Sequence, residues 1–345
     1  MTAVELVVGC NEASDLLPVR SPAVLGTLGA VRAFWTVLDE GPVEQCLAIL
    51  AQGHDGQWSA RHLSVDAGDE NDRTEDGEAL AAFDGWVYVL GSHYGSKGGP
   101  LRPRRAFVAR FREDDAAAGR IRLQVVRNKF RLHRALNDAL TTAGIAPLPT
   151  GERVYERFIG DTRDRGLARA KRWVDRLGRG DLPVNVEAAA FTPAGTLLVG
   201  LRFPVTARGE PILVEIAGVA GMFDDDPRTW PTAVRAYVLT GVTPPGGLTG
   251  FRAIAARPDG GYDAVVGSID AVGKGSVLLD EHPHGGDVTS RHVRFAIPDA
   301  GTGHELPGVV IAELAPFHNV EGLAELDGRR YYVTDEDHRV VLWLS

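Results

Sequence analysis

Acid, amide and guanidinium side chains recur at matching places in this chain. Glu78 stands in GEALA, Asn185 and Glu187 in NVEAAA, Arg252 in GFRAIA, and Asn319 and Glu321 in NVEGLA. The line that follows each of these also ends on polar residues: Ser92 and His93, Arg202, Ser268 with Asp270, and Asp335 and Glu336, with Asp39 and Glu40 closing a weaker copy near the N-terminus. Carboxylate and amide oxygens are the hard ligands that Ca2+ or Mg2+ takes, so Glu187, Asn319, Glu321 and Asp335 form the expected metal set. Arg202 and Arg252 suit a planar anion gripped by parallel hydrogen bonds. His93 is the expected proton carrier, and a metal would polarise the bond being broken. Asp39, Glu40, Glu78, Ser92, Asn185 and Glu336 complete the expected ligand-binding ring. A second reading of the same residues is a buried latch, with inner Glu paired to inner Arg and no ligand at all.

The elements that must position these residues are short strands. NVEGLAELDGRRYYVTDED, from Asn319 to Asp337, opens on a polar triplet, turns at Asp-Gly and returns as an alternating strand; related lines run from Gly77 to His93, Asn185 to Arg202 and Gly250 to Ser268, with a weaker one from Val24 to Glu40. Repetition of one all-strand unit predicts a β-propeller. The expected sets are 24–30, 33–38, 45–50 and 57–65; then 79–83, 86–90, 106–111 and 121–127; then 186–191, 196–201, 212–216 and 233–239; then 251–255, 262–267, 276–280 and 292–297. The last set, 320–326, 330–334 and 340–344, lacks a strand, and Val4–Val8 is expected to supply it by pairing with Val340–Leu344, which closes an otherwise open edge. Five blades are expected, six being the alternative, within a single domain spanning 1–345. Residues 129–182 read instead as a helical insertion, because apolar residues there fall at helical spacing with Gly-containing stops. In a propeller the start of the first strand and the end of the second meet at one mouth of the central channel, which turns the repeated polar residues into a ring.

Composition bounds the function. A net charge of -9 argues against nucleic acid, which selects basic faces. The basic face of the insertion, including Arg163, Arg165, Arg169, Lys171 and Arg172, reads as solvated. Cys10 and Cys46 have no metal-ligand spacing and read as buried free thiols. The N-terminus lacks a signal-peptide pattern and no apolar run could span a bilayer, so a cytoplasmic protein without a membrane partner is expected. The loop GSHYGSKGGPLRPRR, Gly91 to Arg105, offers amides and cations to an anion but lacks P-loop spacing. His282 and His284 in DEHPHGGD have no third histidine for zinc and read as surface loop. HExxH, GxSxG, CxxC and a GxGxxG after a strand are all missing from the sequence.

The Asp39–Glu40 pair, GEALA, GSHYGSKGGPLRPRRAFVARF, NVEAAAFTPAGTLLVGLRFP and the closing NVEGLA with TDED together resemble the bacterial family grouped as domain of unknown function 3616. The resemblance covers most of the chain; Ala188–Ala189 stands where that family carries Gly-Leu, and Phe203 where it carries Asn. It implies a β-propeller and carries no established activity. At the level of fold the chain is also similar to calcium-dependent lactonase and phosphotriesterase propellers and to esterase-like phytase relatives, an analogy that speaks for no particular site. Two functions are therefore expected to compete. One is a divalent-cation-dependent hydrolase of a small anionic ester, lactone or phosphoester at the mouth. The other is a non-catalytic scaffold for a ligand or protein partner, with the insertion as lid or docking surface.

Overall fold

The structure, a computed structural model, describes residues 1–8, 12–38, 41–63, 65–224, 230–272, 275–298, 303–336 and 339–345. Its core is all-β and antiparallel. Among the described residues five sheets have four or more strands. The first sheet runs through Ala13–Pro18, Ala30–Leu38, Leu47–Gly53 and Trp58–His62; the second through Gly77–Phe83, Trp86–Gly91, Phe107–Arg112 and Gln124–Arg127. The third comprises Asn185–Phe191, Leu197–Phe203, Ile212–Ala217 and Thr232–Thr240, with Glu305–Pro307 added in parallel at its edge. The fourth comprises Thr249–Ala256, Tyr262–Ser268, Arg291–Phe295 and Val309–Glu313; the fifth, Val320–Leu326, Arg329–Glu336 and Arg339–Leu344. The fifth sheet is completed by Thr2–Leu6, whose register runs from Thr2 opposite Leu344 to Leu6 opposite Val340. Chain start and chain end thus share one sheet.

The first strands pack in a cycle: first sheet on second, second on third, third on fourth, fourth on fifth, and fifth back on first. Apolar layers fill the gaps between neighbours. Tyr88 and Leu90 meet Val186 and Val199 between the second and third sheets, Leu198 and Leu213 meet Phe251 and Val266 between the third and fourth, and Ala253 and Val265 meet Leu323 and Tyr332 between the fourth and fifth. A cavity of about 250 Å³ is lined by all five first strands, through Leu16, Ala82, Phe191, Ile254 and Glu325 among others. These are residues of the strands' later halves, so the cavity lies at the end opposite the strand starts.

Two expected strands are helices instead, and capping explains both. Val24–Ala30 falls on the helix Pro22–Leu28, where the Ser21 side chain accepts from the Val24 N–H, Pro22 fills the first turn and Gly29 ends it at φ 62°. Serine before proline with glycine after is a strong helix frame. The first strand of that sheet is Ala13–Pro18. Ser276–Asp280 likewise falls on the helix Val277–Glu281, capped by Ser276 Oγ accepting from Leu279 N–H, and the fourth strand of its sheet is Val309–Glu313. Within 129–182 lie the helices Arg131–Ala143, Glu152–Tyr155 and Asp161–Ala168, a π-turn at Glu156–Gly160 and a 3-10 turn at Arg172–Arg176. This segment buries Phe130, Leu148, Val154, Phe158 and Leu177 against Tyr94, Leu101, Phe203, Ile269 and Leu278, and so sits over the end where the strands start. Among the described residues no helix is long and apolar enough to cross a membrane.

Candidate functional site

Every first strand carries an irregularity near its start. Glu78, Glu187, Arg252 and Glu321 are each skipped in the pairing with the second strand, and Asp15 with Leu16 are skipped in the first sheet. A β-bulge leaves one residue unpaired and re-aims its side chain. Four like bulges and a wider one in the first sheet therefore deliver one ionisable group per sheet to the end where strand starts converge.

What meets there is mainly ion-paired. Glu187 accepts from Arg202 Nη1 at 2.9 Å and from Asn185 Nδ2 at 2.9 Å. Arg252 Nη2 donates to Glu321 Oε1, whose second oxygen accepts from Ser14 Oγ at 3.4 Å. Arg252 Nη1 stands 4.0 Å from Glu187 Oε2, which links the two pairs into one chain across three sheets. All four side chains are nearly enclosed: 11% exposed for Arg202, 4% for Glu187, 2% for Arg252 and 8% for Glu321. Burial works against the charge of Arg202, but the carboxylates of Glu187, Asp270 and Glu78 outweigh it and hold its pKa above the usual range. For Arg252 the balance reverses. Burial, and then the positive charge of Arg202, bring it down to about 10 despite Glu187, Asp335 and Glu78.

Several buried polar atoms at this end have no hydrogen-bond partner among the described residues: Arg252 Nε and Nη1, Asn185 Oδ1 and the Tyr94 hydroxyl. Tyr94 is stacked on Phe158, and its hydroxyl lies within the fields of Asp270 and Arg202; burial first and Asp270 second push its pKa well up. Asp76 is a further carboxyl of this end. It accepts from Ser92 Oγ and pairs with Arg105 at 2.8 Å, yet burial raises its pKa, with Arg105 and Ser92 opposing and Glu187 adding to the rise.

The expected roles fare unequally. His93 is fully buried, its Nδ1 2.7 Å from the Gly91 carbonyl and its Nε2 2.7 Å from Asn128 Nδ2, and burial lowers its pKa to about 4. Both ring nitrogens are therefore engaged within the fold. Ser92 is also inward, donating to Asp76 and accepting from the Tyr94 N–H at 3.2 Å. Asn319 Nδ2 donates to the backbone carbonyl of Asp335, clipping its own hairpin. Asp39 and Glu40, and the side chain of Glu336, lie outside the described residues.

The expected cation fits this arrangement poorly. Oxygens of Glu187 and Glu321 are held by guanidinium groups, so an ion bound between them would sit beside Arg202 and Arg252. Asn319 has turned its amide to its own hairpin, and among the described residues no group of three or more His, Cys, Asp or Glu could hold a metal.

Asp15, Asp76 and Tyr94 are the members of the site missed in sequence. Asp15 had a signal, since Ser-Asp-Leu-Leu stands to its strand as Val-Glu-Gly-Leu does to the last one. Burial raises Asp15 to about 7, although it accepts from the N–H groups of Leu80 at 2.6 Å and Leu16 at 2.8 Å.

No family model matches the chain, and no curated protein matches it. Among solved structures it is similar to a β-1,3-galactosidase of glycoside hydrolase family 43 bound to galactodeoxynojirimycin, at 12% identity over 96% of this chain and 90% of that one with a TM-score of 0.47. It is similar also to a thermostable family-43 glycoside hydrolase, at 10% identity over 98% and 90% with a TM-score of 0.45, and to a mannose phosphorylase from Leishmania mexicana, at 10% identity over 100% and 87% with a TM-score of 0.44. Likenesses at this level carry no weight for chemistry.

Proposed function

We propose that the chain is a five-bladed β-propeller that binds a small, neutral, hydroxyl-bearing molecule at the mouth where the five first strands begin. The blade count is supported by the cyclic packing of five first strands and by the shared sheet of chain start and end. The observation that carries the binding reading is the set of unpartnered polar atoms at Arg252, Asn185 and Tyr94. Buried polar groups without partners are expensive, and native proteins leave few of them. The Arg252 nitrogens and the Tyr94 hydroxyl donate while Asn185 Oδ1 accepts, and hydroxyl groups answer both. Carboxylates of Glu78, Glu187, Asp270, Glu321 and Asp335 outnumber the guanidinium groups of Arg202 and Arg252, so a net anion is repelled and a neutral ligand is favoured. The test is thermal melting with a panel of neutral polyols, lactones and glycosides beside their acid forms. Neutral compounds raise the melting temperature of the parent protein and not of Tyr94→Phe, which keeps the ring on Phe158 but loses the hydroxyl. A shift from the acids alone overturns the reading.

A hydrolytic version of this reading draws on Asp76. Its pKa is raised by burial, with Glu187 adding to the rise, and Glu187 itself is ion-paired with Arg202. Two carboxyls in such unlike surroundings can serve as acid and base. Turnover of a neutral lactone or glycoside, lost in Asp76→Asn with the fold intact, supports this version; its loss in a His93 variant alone, with Asp76→Asn active, refutes it.

A further inference from the structure

A second concavity, of about 780 Å³, lies between the loop after the second sheet's inner hairpin and the helical segment. Eight of its sixteen lining residues are Arg or Lys, and none is Asp or Glu. That composition is unusual for a chain of net charge -9. Arg102 and Arg127 are answered by Glu75 and Glu70, and Arg176 donates to the backbone carbonyls of Asn128 and Lys129. Lys129, Arg165, Arg169, Lys171 and Arg172 have no ion-pair partner among the described residues. Cations gathered without counter-ions repel one another, and a ligand of opposite charge relieves that repulsion.

The wall of this pocket is shaped as well as charged. Trp173, half-buried, lines it and is braced edge-on by Phe130 at 5.0 Å between ring centroids. Lys129, Phe130 and Ala170 hold φ of 49°, 67° and 49°, a left-handed conformation that side chains with a Cβ rarely adopt. Such strain collects at ligand clamps, where surrounding structure over-determines it. The π-turn Glu156–Gly160, a feature frequent at functional sites, leads into Thr162 on the same wall.

We infer that this pocket binds a small ligand that carries two or more phosphate groups and a planar ring, a nucleoside diphosphate by chemical class. The unanswered cations match the charge of linked phosphates, with guanidinium groups supplying paired hydrogen bonds, and Trp173 offers an aromatic surface to the ring. The volume falls within the range of small-molecule sites. The acidic remainder of the chain opposes an extended nucleic acid, which would have to leave the pocket and run over it. This inference does not depend on the reading of the mouth.

The probes are ADP, pyrophosphate, adenosine and a short single-stranded RNA, titrated calorimetrically at low salt. ADP binds saturably, pyrophosphate more weakly and adenosine more weakly still, and added salt weakens ADP. The double variant Arg169→Ala with Arg172→Ala, both exposed and remote from the core, melts like the parent and binds ADP about tenfold more weakly or worse, whereas Tyr94→Phe binds ADP unchanged. Failure of ADP and pyrophosphate to bind saturably, an unchanged affinity in the double variant, or tighter binding of the RNA than of ADP each overturns the inference.

Discussion

Arginines do opposite work at the mouth and in the basic pocket. Arg202 and Arg252 are enclosed, each beside a glutamate, and the pairs join residues of three sheets. Arg165, Arg169 and Arg172 reach into a concavity with no acid on its wall. The same side chain is thus fixed in one place and left to gather an anion in another. Exposure decides the difference: an enclosed charge needs a partner built into the fold, because an unpaired one is strongly destabilising, whereas an exposed charge is stabilised by water until a ligand displaces it.

Removing one member of the enclosed chain should give the largest effect. Glu321→Ala leaves Arg252 buried with no acceptor at Nη2, and a loss of about 3–5 kcal/mol is expected by urea unfolding. Glu187→Gln removes the charge facing Arg202 but leaves it an amide oxygen and the Ser268 carbonyl at 3.3 Å to donate to, so a smaller loss is expected there. Should either change leave the unfolding midpoint in place, the pairs are not holding the sheets and the contrast with the basic pocket fails. EDTA gives the complementary reading. Because the glutamates are already paired, chelation followed by added Ca2+ should not move the melting temperature; a reversible rise would restore the cation to the mouth.

Asp15 yields the next effect, and it depends on pH. Its pKa is about 7 in the folded protein and near 3.8 in an exposed chain. Between those values the folded state holds a proton that the unfolded state has released, so stability falls as pH rises through that window. On the order of a few kcal/mol is involved. Buried His93 and His133, lowered to about 4 and about 3, act in the opposite direction below pH 6.5, so the reading is the difference between parent and variant. Asp15→Asn should gain melting temperature relative to the parent as pH rises from 5 to 8; a difference that stays constant with pH assigns the dependence to other groups.

How much of this could be read in the chain follows from how local each cause is. The hairpins that repeat Asp-Gly turns and alternating strands were legible, as was closure of the last sheet by the N-terminal strand, because both rest on pattern within a few residues or on a missing partner. Glu187, Arg202, Arg252 and Glu321 were legible as one ring because the repeat places them alike. Ala13–Pro18 was obscured by its short, irregular strand, and the apolar residues after it, although similar to a strand in composition, are taken into a helix by Ser21, Pro22 and Gly29. His93 looked reactive because sequence cannot show that Gly91 and Asn128 occupy both its nitrogens. The basic pocket was out of reach for a further reason. Its cations come from Arg102, from Arg127 and Lys129, and from Arg165 to Arg176, and only the docking of the helical segment brings them to one wall.

The smallest expected effect on stability completes the contrast. Arg169→Ala and Arg172→Ala, singly, should shift unfolding by within about 0.5 kcal/mol, since exposed substitutions away from caps and networks rarely do more. The sign should carry information. If these cations repel one another without a ligand, removing either one stabilises the protein slightly at low salt, and the gain disappears as salt screens the repulsion over roughly 10 Å. A loss at low salt that persists at high salt would instead mean that these residues have partners of their own, and the distinction between the two sets of arginines would narrow to one of degree.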